Sequence, residues 1–197
     1  MLLRDVILSS KEEDSQNYLK NNPEILLYAF ANQWHVNELI PKFKFGADFV
    51  SDFVIVSGQS WYYDIFLIEL EPPTTGPFNK DGTYSQRLNG AMKQINEWFD
   101  WIRINEDYFR KSLASRMSDH YGKGQIYSEY NKVRIRDHDR RFFVFSKIII
   151  GCRHHQTIKD NQTRATIRSL SNQQLEIVPY DRLIEVEEKI RKCDSSR

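Results

Sequence analysis

The chain has 197 residues, 40% hydrophobic and 28% charged, with a net charge of +1. That is the range of one globular domain with a real core. No apolar run reaches the roughly 18 residues of a membrane span, and Cys152 and Cys193 show no CxxC spacing, which argues against a disulfide framework or a cysteine zinc site and for a reducing, cytoplasmic setting.

The charge is unevenly spread. Residues 1–100 carry 8 Lys and Arg against 14 Asp and Glu, whereas residues 101–197 carry 20 against 13. A cation-dependent enzyme acting on a polyanion needs both an acidic site and a basic surface. The start, MLLRDVILSSKEED, has a short apolar stretch followed at once by acids, and it lacks the h-region and cleavage site of a signal peptide.

Lys11 to Phe30 reads as helical, capped by Ser9 or Ser10, with a restart at Asn22-Pro23, where Asn is the N-cap and Pro takes the first helical position. Glu24 is then a first-turn acid. It complements the helix dipole or serves as an outer ligand of a nearby site. Val36–Ile40 and Lys42–Phe45 read as a first strand interrupted at Pro41.

The stretch from Asp48 to Pro73 carries the most information. Two apolar, β-branched and aromatic runs flank Gly58-Gln59-Ser60, the pattern of a hairpin. Its second arm, Tyr63 to Glu71, ends at Pro72-Pro73. Side chains alternate faces along a strand, so Glu69 and Glu71 share a face, about 7 Å apart. Burying two unpaired carboxylates is costly, so such groups hold a cation or face water. An Asp on the neighbouring arm completes a hard-oxygen site suited to Mg²⁺. A turn centred between Gly58 and Gln59 sets Asp48 opposite Glu69, and one centred near Ser60-Trp61 sets Asp52 there; periodicity leaves both open.

Pro72 to Ser85 is a loop by composition, at the mouth of any site on that strand. Gln86 to Arg103 is an amphipathic helix. Leu88, Ala91, Met92, Ile95, Phe99 and Ile102 form its core face, and Arg87, Gln94, Trp98 and Trp101 line an adjacent one. A polar insertion is expected at about 105–140. It begins with a helix from Glu106 to Met117 and continues as a loop, Ser118 to Asp139, that mixes cations with Tyr121, Tyr127 and Tyr130, a combination able to track a nucleic-acid strand. Arg141 to Gly151 is a buried strand. Cys152-Arg153-His154-His155 follows it, with Arg153 a candidate phosphate contact. A helix from Thr157 to Leu170, a short strand Leu175–Val178 and a last helix Arg182–Lys192 complete an α/β order with a mixed central sheet flanked by helices.

Asp-x(n)-Glu-x-Glu on a hairpin resembles the PD-(D/E)xK nuclease superfamily, with its restriction-endonuclease-like fold. More narrowly, several motifs together resemble the Shedu family of anti-phage nucleases. They are Asn22-Pro23-Glu24, Ser51-Asp52-Phe53-Val54, Leu67 to Pro73, Phe78 to Gly82, Asn89 to Trp98, Ile149 to Arg153 and Glu176 to Asp181. The resemblance spans about residues 20–185 and selects Asp52. It implies that Asp52, Glu69 and the Leu70 carbonyl bind Mg²⁺, with Mn²⁺ able to substitute. It also implies that Glu71 stands at the position usually filled by Lys, and that Gln94 and Trp98 match a Gln-x-x-x-aromatic helix motif beside the metal. Ser51 stands where the motif has Pro. Catalysis by Asp52, Glu69, Glu71 and Gln94 on DNA phosphodiester bonds follows as the expected function, in a cytoplasmic protein with no membrane association that forms a homo-oligomer. Relatives often carry a further sensing region, for which 197 residues leave little room. The alternatives are a catalytically inactive nucleic-acid-binding module, with Glu71 marking a decayed site, and an interaction subunit of a larger complex.

Overall fold

The computed structural model describes residues 2–8, 12–31, 36–47, 49–58, 61–117, 135–137, 139–153, 167 and 174–195. Three short helices open the chain: α1 (Leu3–Leu8), α2 (Glu12–Asn21) and α3 (Pro23–Phe30). The strands β1 (Val36–Phe45), β2 (Phe49–Gly58) and β3 (Tyr62–Leu70) follow, then α4 (Gln86–Ile104) and α5 (Glu106–Arg116). β4 (Arg141–Ile149), β5 (Leu175–Val178) and α6 (Tyr180–Ser195) close the described order.

The five strands form one mixed sheet in the order β1-β2-β3-β4-β5. The first two pairings are antiparallel, and β3–β4 and β4–β5 are parallel. A parallel pair needs a crossover, and α4 and α5 lie within the one between β3 and β4. Alternation along the strands divides the apolar side chains between two cores. Val54, Val56, Ile65, Leu67 and Ile148 face α4 and α5, where Leu88, Ile95, Trp98, Phe109 and Leu113 meet them. Phe53, Ile55, Ile68, Leu70 and Ile149 face the other way, against Leu3, Leu19, Ile25 and Leu26 from α1–α3 and Leu183 from α6. With about 1.5–3 kcal/mol for each large apolar side chain buried, both faces are needed to hold the sheet. The result is the α/β fold expected from the sequence.

The Asn22-Pro23 restart separates α2 from α3 as read, with Pro at the start of α3. α1 has no counterpart in the sequence reading, because six residues give too little periodicity to declare a helix. On α4, Trp98 belongs to the buried stripe, fully enclosed with Leu88, Ala91, Ile95 and Ile102, and Met92 and Phe99 are only partly buried. The stripe drifts around the helix at 3.6 residues per turn, so Trp98 joins the core and leaves the polar face. α5 is also part of the core, through Phe109, Leu113 and Ala114. Residues 118–134, most of the expected helix at 157–170, His154 and His155 lie outside the described residues.

β1 runs through Pro41 without breaking. Pairing continues on either side, from Pro41↔Phe53 to Phe43↔Ser51. The irregularity expected there is confined to Lys42, whose φ of 47° is left-handed.

Candidate active site

The β2–β3 register decides which aspartate faces Glu69. The last ladder pair is Phe53↔Ile68, and one further step sets Asp52 across from Glu69. Asp48 lies outside the described residues. Ser51, fully buried, secures this strand end by donating its hydroxyl to the carbonyls of Phe53 (2.7 Å) and Ile68 (3.1 Å). Asp52 is 7% exposed. Its Oδ2 accepts from the Leu70 amide at 2.8 Å. Its Oδ1 accepts from Lys42 Nζ at 2.7 Å and Gln16 Nε2 at 2.6 Å.

Glu69 Oε1 accepts from Gln94 Nε2 of α4 at 3.2 Å. Its Oε2 is buried and has no hydrogen-bond partner among the described residues, and the same holds for Glu71 Oε2. Arg87 Nη1 approaches Glu71 Oε2 only to 3.7 Å. α4 reaches the site because Ser85 caps its start, accepting from the Leu88 amide. The helix then carries Arg87 and Gln94 past the end of β3. A groove of about 540 Å³ opens beside Gln94, between α4 and the Phe49-Val50 end of β2.

These carboxyl groups disfavour one another's charge. Burial, then the charges of Asp52, Glu71 and Glu12, push the Glu69 carboxyl up to about 9, against a smaller opposing pull from Lys42. Burial raises Glu71 to about 7; Arg87 opposes, while Glu12 and Asp52 add to the rise. Glu12, on the first turn of α2, is itself raised, by burial and by Asp52, with Arg87 and Lys42 pulling the other way. On the far side, Tyr180 is fully buried and its hydroxyl has no partner among the described residues. Burial, followed by the charges of Glu12, Asp52 and Glu71, holds its phenol well above the usual range. Among the described residues the cluster thus has four acids and two nearby cations, Lys42 and Arg87.

Sequence reasoning missed Glu12, Gln16, Lys42 and Arg87 as site residues. Glu12 and Gln16 are four apart and so share a helix face, a signal available in the sequence but shared with many polar helices. Lys42 had the adjacent Pro41 as its only local mark. Glu24 is exposed on the first turn of α3, whose buried side is Ile25, Leu26 and Ala29, and Glu12 of α2 is an N-terminal acid coupled to Asp52. Arg153 is committed elsewhere. Its Nε lies 3.0 Å from Asp181 and its Nη2 2.8 Å from Glu185, both on α6, and these acids raise its pKa.

A model of the family described as Shedu protein SduA, C-terminal, matches residues 9–184. The chain belongs to that family. Membership points to a role in anti-phage defence, and the match takes in every member of the cluster, from Glu12 of α2 to Arg87 and Gln94 of α4. No curated protein matches this Shedu-family sequence. Among its described residues no helix is long and apolar enough to cross a membrane.

The donors of this Shedu-family site suit a hard divalent cation. Glu69 Oε2 and Glu71 Oε2 are open acceptors, and three hydrogen bonds leave part of Asp52's capacity of about four lone-pair sites. Among the described residues, no three His, Cys, Asp or Glu side chains close on a common point as a ready-made metal cage. Mg²⁺ does not require one, since it usually takes one or two carboxylates and keeps several waters.

Proposed function

We propose that the chain is a Mg²⁺-dependent nuclease of the PD-(D/E)xK superfamily that hydrolyses DNA phosphodiester bonds in anti-phage defence. The observation that carries this reading is the placement of Asp52 across from Glu69, one step beyond the last ladder pair of the central hairpin, followed on the same strand by Glu71, with open, buried oxygens on Glu69 and Glu71. Asp52, Glu69 and the Leu70 carbonyl are the groups to hold Mg²⁺ or Mn²⁺. When bound, the ion supplies Lewis-acid polarisation of a phosphoryl oxygen and acidifies water.

The remaining work falls to the chain's own side chains. Gln94 fixes the orientation of Glu69 through its amide N–H. The Leu70 amide and Gln16 fix Asp52. Glu71, raised to about 7, is poised to take a proton from the attacking water near neutral pH, where a general base works best. A lysine at that position could stabilise developing negative charge, which a carboxylate cannot do, so Glu71 serves here as proton acceptor. The same substitution supports a second reading, an inactive binding module on a nuclease fold; in that case no Mg²⁺ or Mn²⁺ binding would depend on Asp52 and Glu69.

The test is plasmid nicking by the full chain with Mg²⁺ or Mn²⁺. Glu69→Ala is expected to lower the rate by about 10³-fold or more, the scale seen when a transition-state stabiliser is removed. Nicking that survives Glu69→Ala unchanged overturns the assignment.

A further inference from the structure

A phosphodiester is an anion, and the site it must reach holds four acids. Even with a divalent ion in place, the substrate-facing side needs further positive charge, and position 71 does not supply it. Among the described residues, Lys42 and Arg87 are the cations paired with the cluster, and both have most of their side chain in solvent, 57% and 61% exposed.

Lys42 reaches the cluster through an unusual backbone. A φ of 47° is disfavoured for a residue with a Cβ, yet pairing on both sides of it keeps register. The distortion therefore affects this one residue and sends its amine 2.7 Å from Asp52 Oδ1. An ammonium has three N–H donors, and Asp52 takes one of them. Arg87 comes from a different element, the first turn of α4. At 3.7 Å from Glu71 its guanidinium is beyond direct hydrogen-bond range and retains its donor fork. Glu12 senses both cations, so the two flank the same cluster. Arg153 is the counterexample: its guanidinium is taken up by Asp181 and Glu185.

Resting on the nuclease reading above, we propose that Lys42 and Arg87 form a two-sided clamp on the phosphate of a bound nucleic-acid strand, with Lys42 supplying the positive charge that position 71 lacks. Lys42 spans Asp52 and a non-bridging phosphoryl oxygen, and Arg87 closes on the same or the next phosphate from above Glu71.

The experiment measures the salt dependence of binding to a short DNA duplex by fluorescence anisotropy, in a Glu69→Gln background that prevents turnover. Each phosphate contact adds about 0.9 to the slope of log K against log salt. Lys42→Gln and Arg87→Gln should each reduce the slope by about that amount, and the double variant by about 1.8. Lys42→Arg should restore it. A Mn²⁺ titration of Lys42→Gln in the otherwise wild-type chain separates the alternative role: tighter metal binding with an unchanged salt slope means that Lys42 only balances Asp52, and overturns the clamp. Should Lys42→Gln fail to fold, Arg87→Gln decides alone, a lower slope supporting the clamp and an unchanged one removing it. A wild-type chain that nicks and binds DNA while every variant keeps its slope loses the clamp and keeps the nuclease. A chain that neither binds nor nicks loses both.

Discussion

Two charged clusters on the same sheet, one around the carboxylates at β2–β3 and one around Glu176 at β4–β5, are in opposite electrostatic states. At β4–β5, Glu176 accepts from Lys147 Nζ at 2.7 Å and from Arg182 Nη1 at 2.6 Å. Burial alone would raise its carboxyl, but Lys147 and Arg182 more than compensate and hold it below the ordinary range. Both cations are further placed over aromatic rings, Lys147 near Phe30 and Phe66 and Arg182 over Phe30. At β2–β3, Glu69 and Glu71 are raised, with oxygens left open. The first cluster is electrostatically complete and serves the fold. The second is incomplete in the folded chain, the state that the proposed cation site calls for.

Opposite states imply opposite responses to pH. Glu69 and Glu71 are raised on folding, from an ordinary 4.5 to about 9 and about 7. The folded state therefore binds more protons than the unfolded one between those values. Their contribution to stability is full below about pH 4.5 and is lost as pH climbs toward 9. Glu176 is lowered, so its contribution is present above about pH 4.5 and disappears as pH falls through its folded value. Metal-free protein should show a denaturation midpoint that declines from pH 5 to 9, and this is the largest effect expected, since each displaced pKa unit corresponds to about 1.4 kcal/mol. Glu69→Gln should flatten the decline, and Mg²⁺ should reverse it by binding the ionised carboxylates. A flat midpoint in metal-free wild-type protein would remove the contrast between the two clusters.

Next in size is Glu176→Ala. It leaves Lys147, only 14% exposed, without its partner, and should cost about 2 kcal/mol in urea or thermal unfolding, given that losing one member of a buried pair costs more than the pair contributes. Glu69→Ala in the absence of metal should cost clearly less, or stabilise, although under the proposed function it removes nicking. Equal losses for the two variants would make the acid cluster a structural network like its neighbour. Smallest is Tyr180→Phe. The lost hydroxyl has no partner among the described residues, so the change should fall within about 1 kcal/mol of neutral, on the stabilising side. A clear loss of stability would show that the hydroxyl is bonded after all.

How much of this could be read from the sequence depended on range. Alternation located Glu69 and Glu71 on one face, and the apolar runs located the strands on either side of them. The choice between Asp48 and Asp52 depended on where the turn is centred, which a two-residue slip changes and local pattern does not fix. The α4 stripe was legible from Leu88 to Ile102, but its width was not, so Trp98 fell on the wrong side of the boundary. Lys42, Gln16 and Glu12 come together at Asp52 from separations that only the folded sheet and helices close. Arg153 was identified as a cation, but what determines its role is a pair of acids on α6, 28 and 32 residues away.

Asp52 and Glu69 stand on strands separated by three residues of chain, and the parallel strand β4 is added on the far side of β3 only after α4 and α5. Both acids are therefore already opposed on one hairpin before the crossover to β4 begins. A change in chain length between α5 and β4 leaves the β2–β3 register that sets Asp52 across from Glu69 unchanged. In such an architecture the length of the crossover and the spacing of the acids can vary independently.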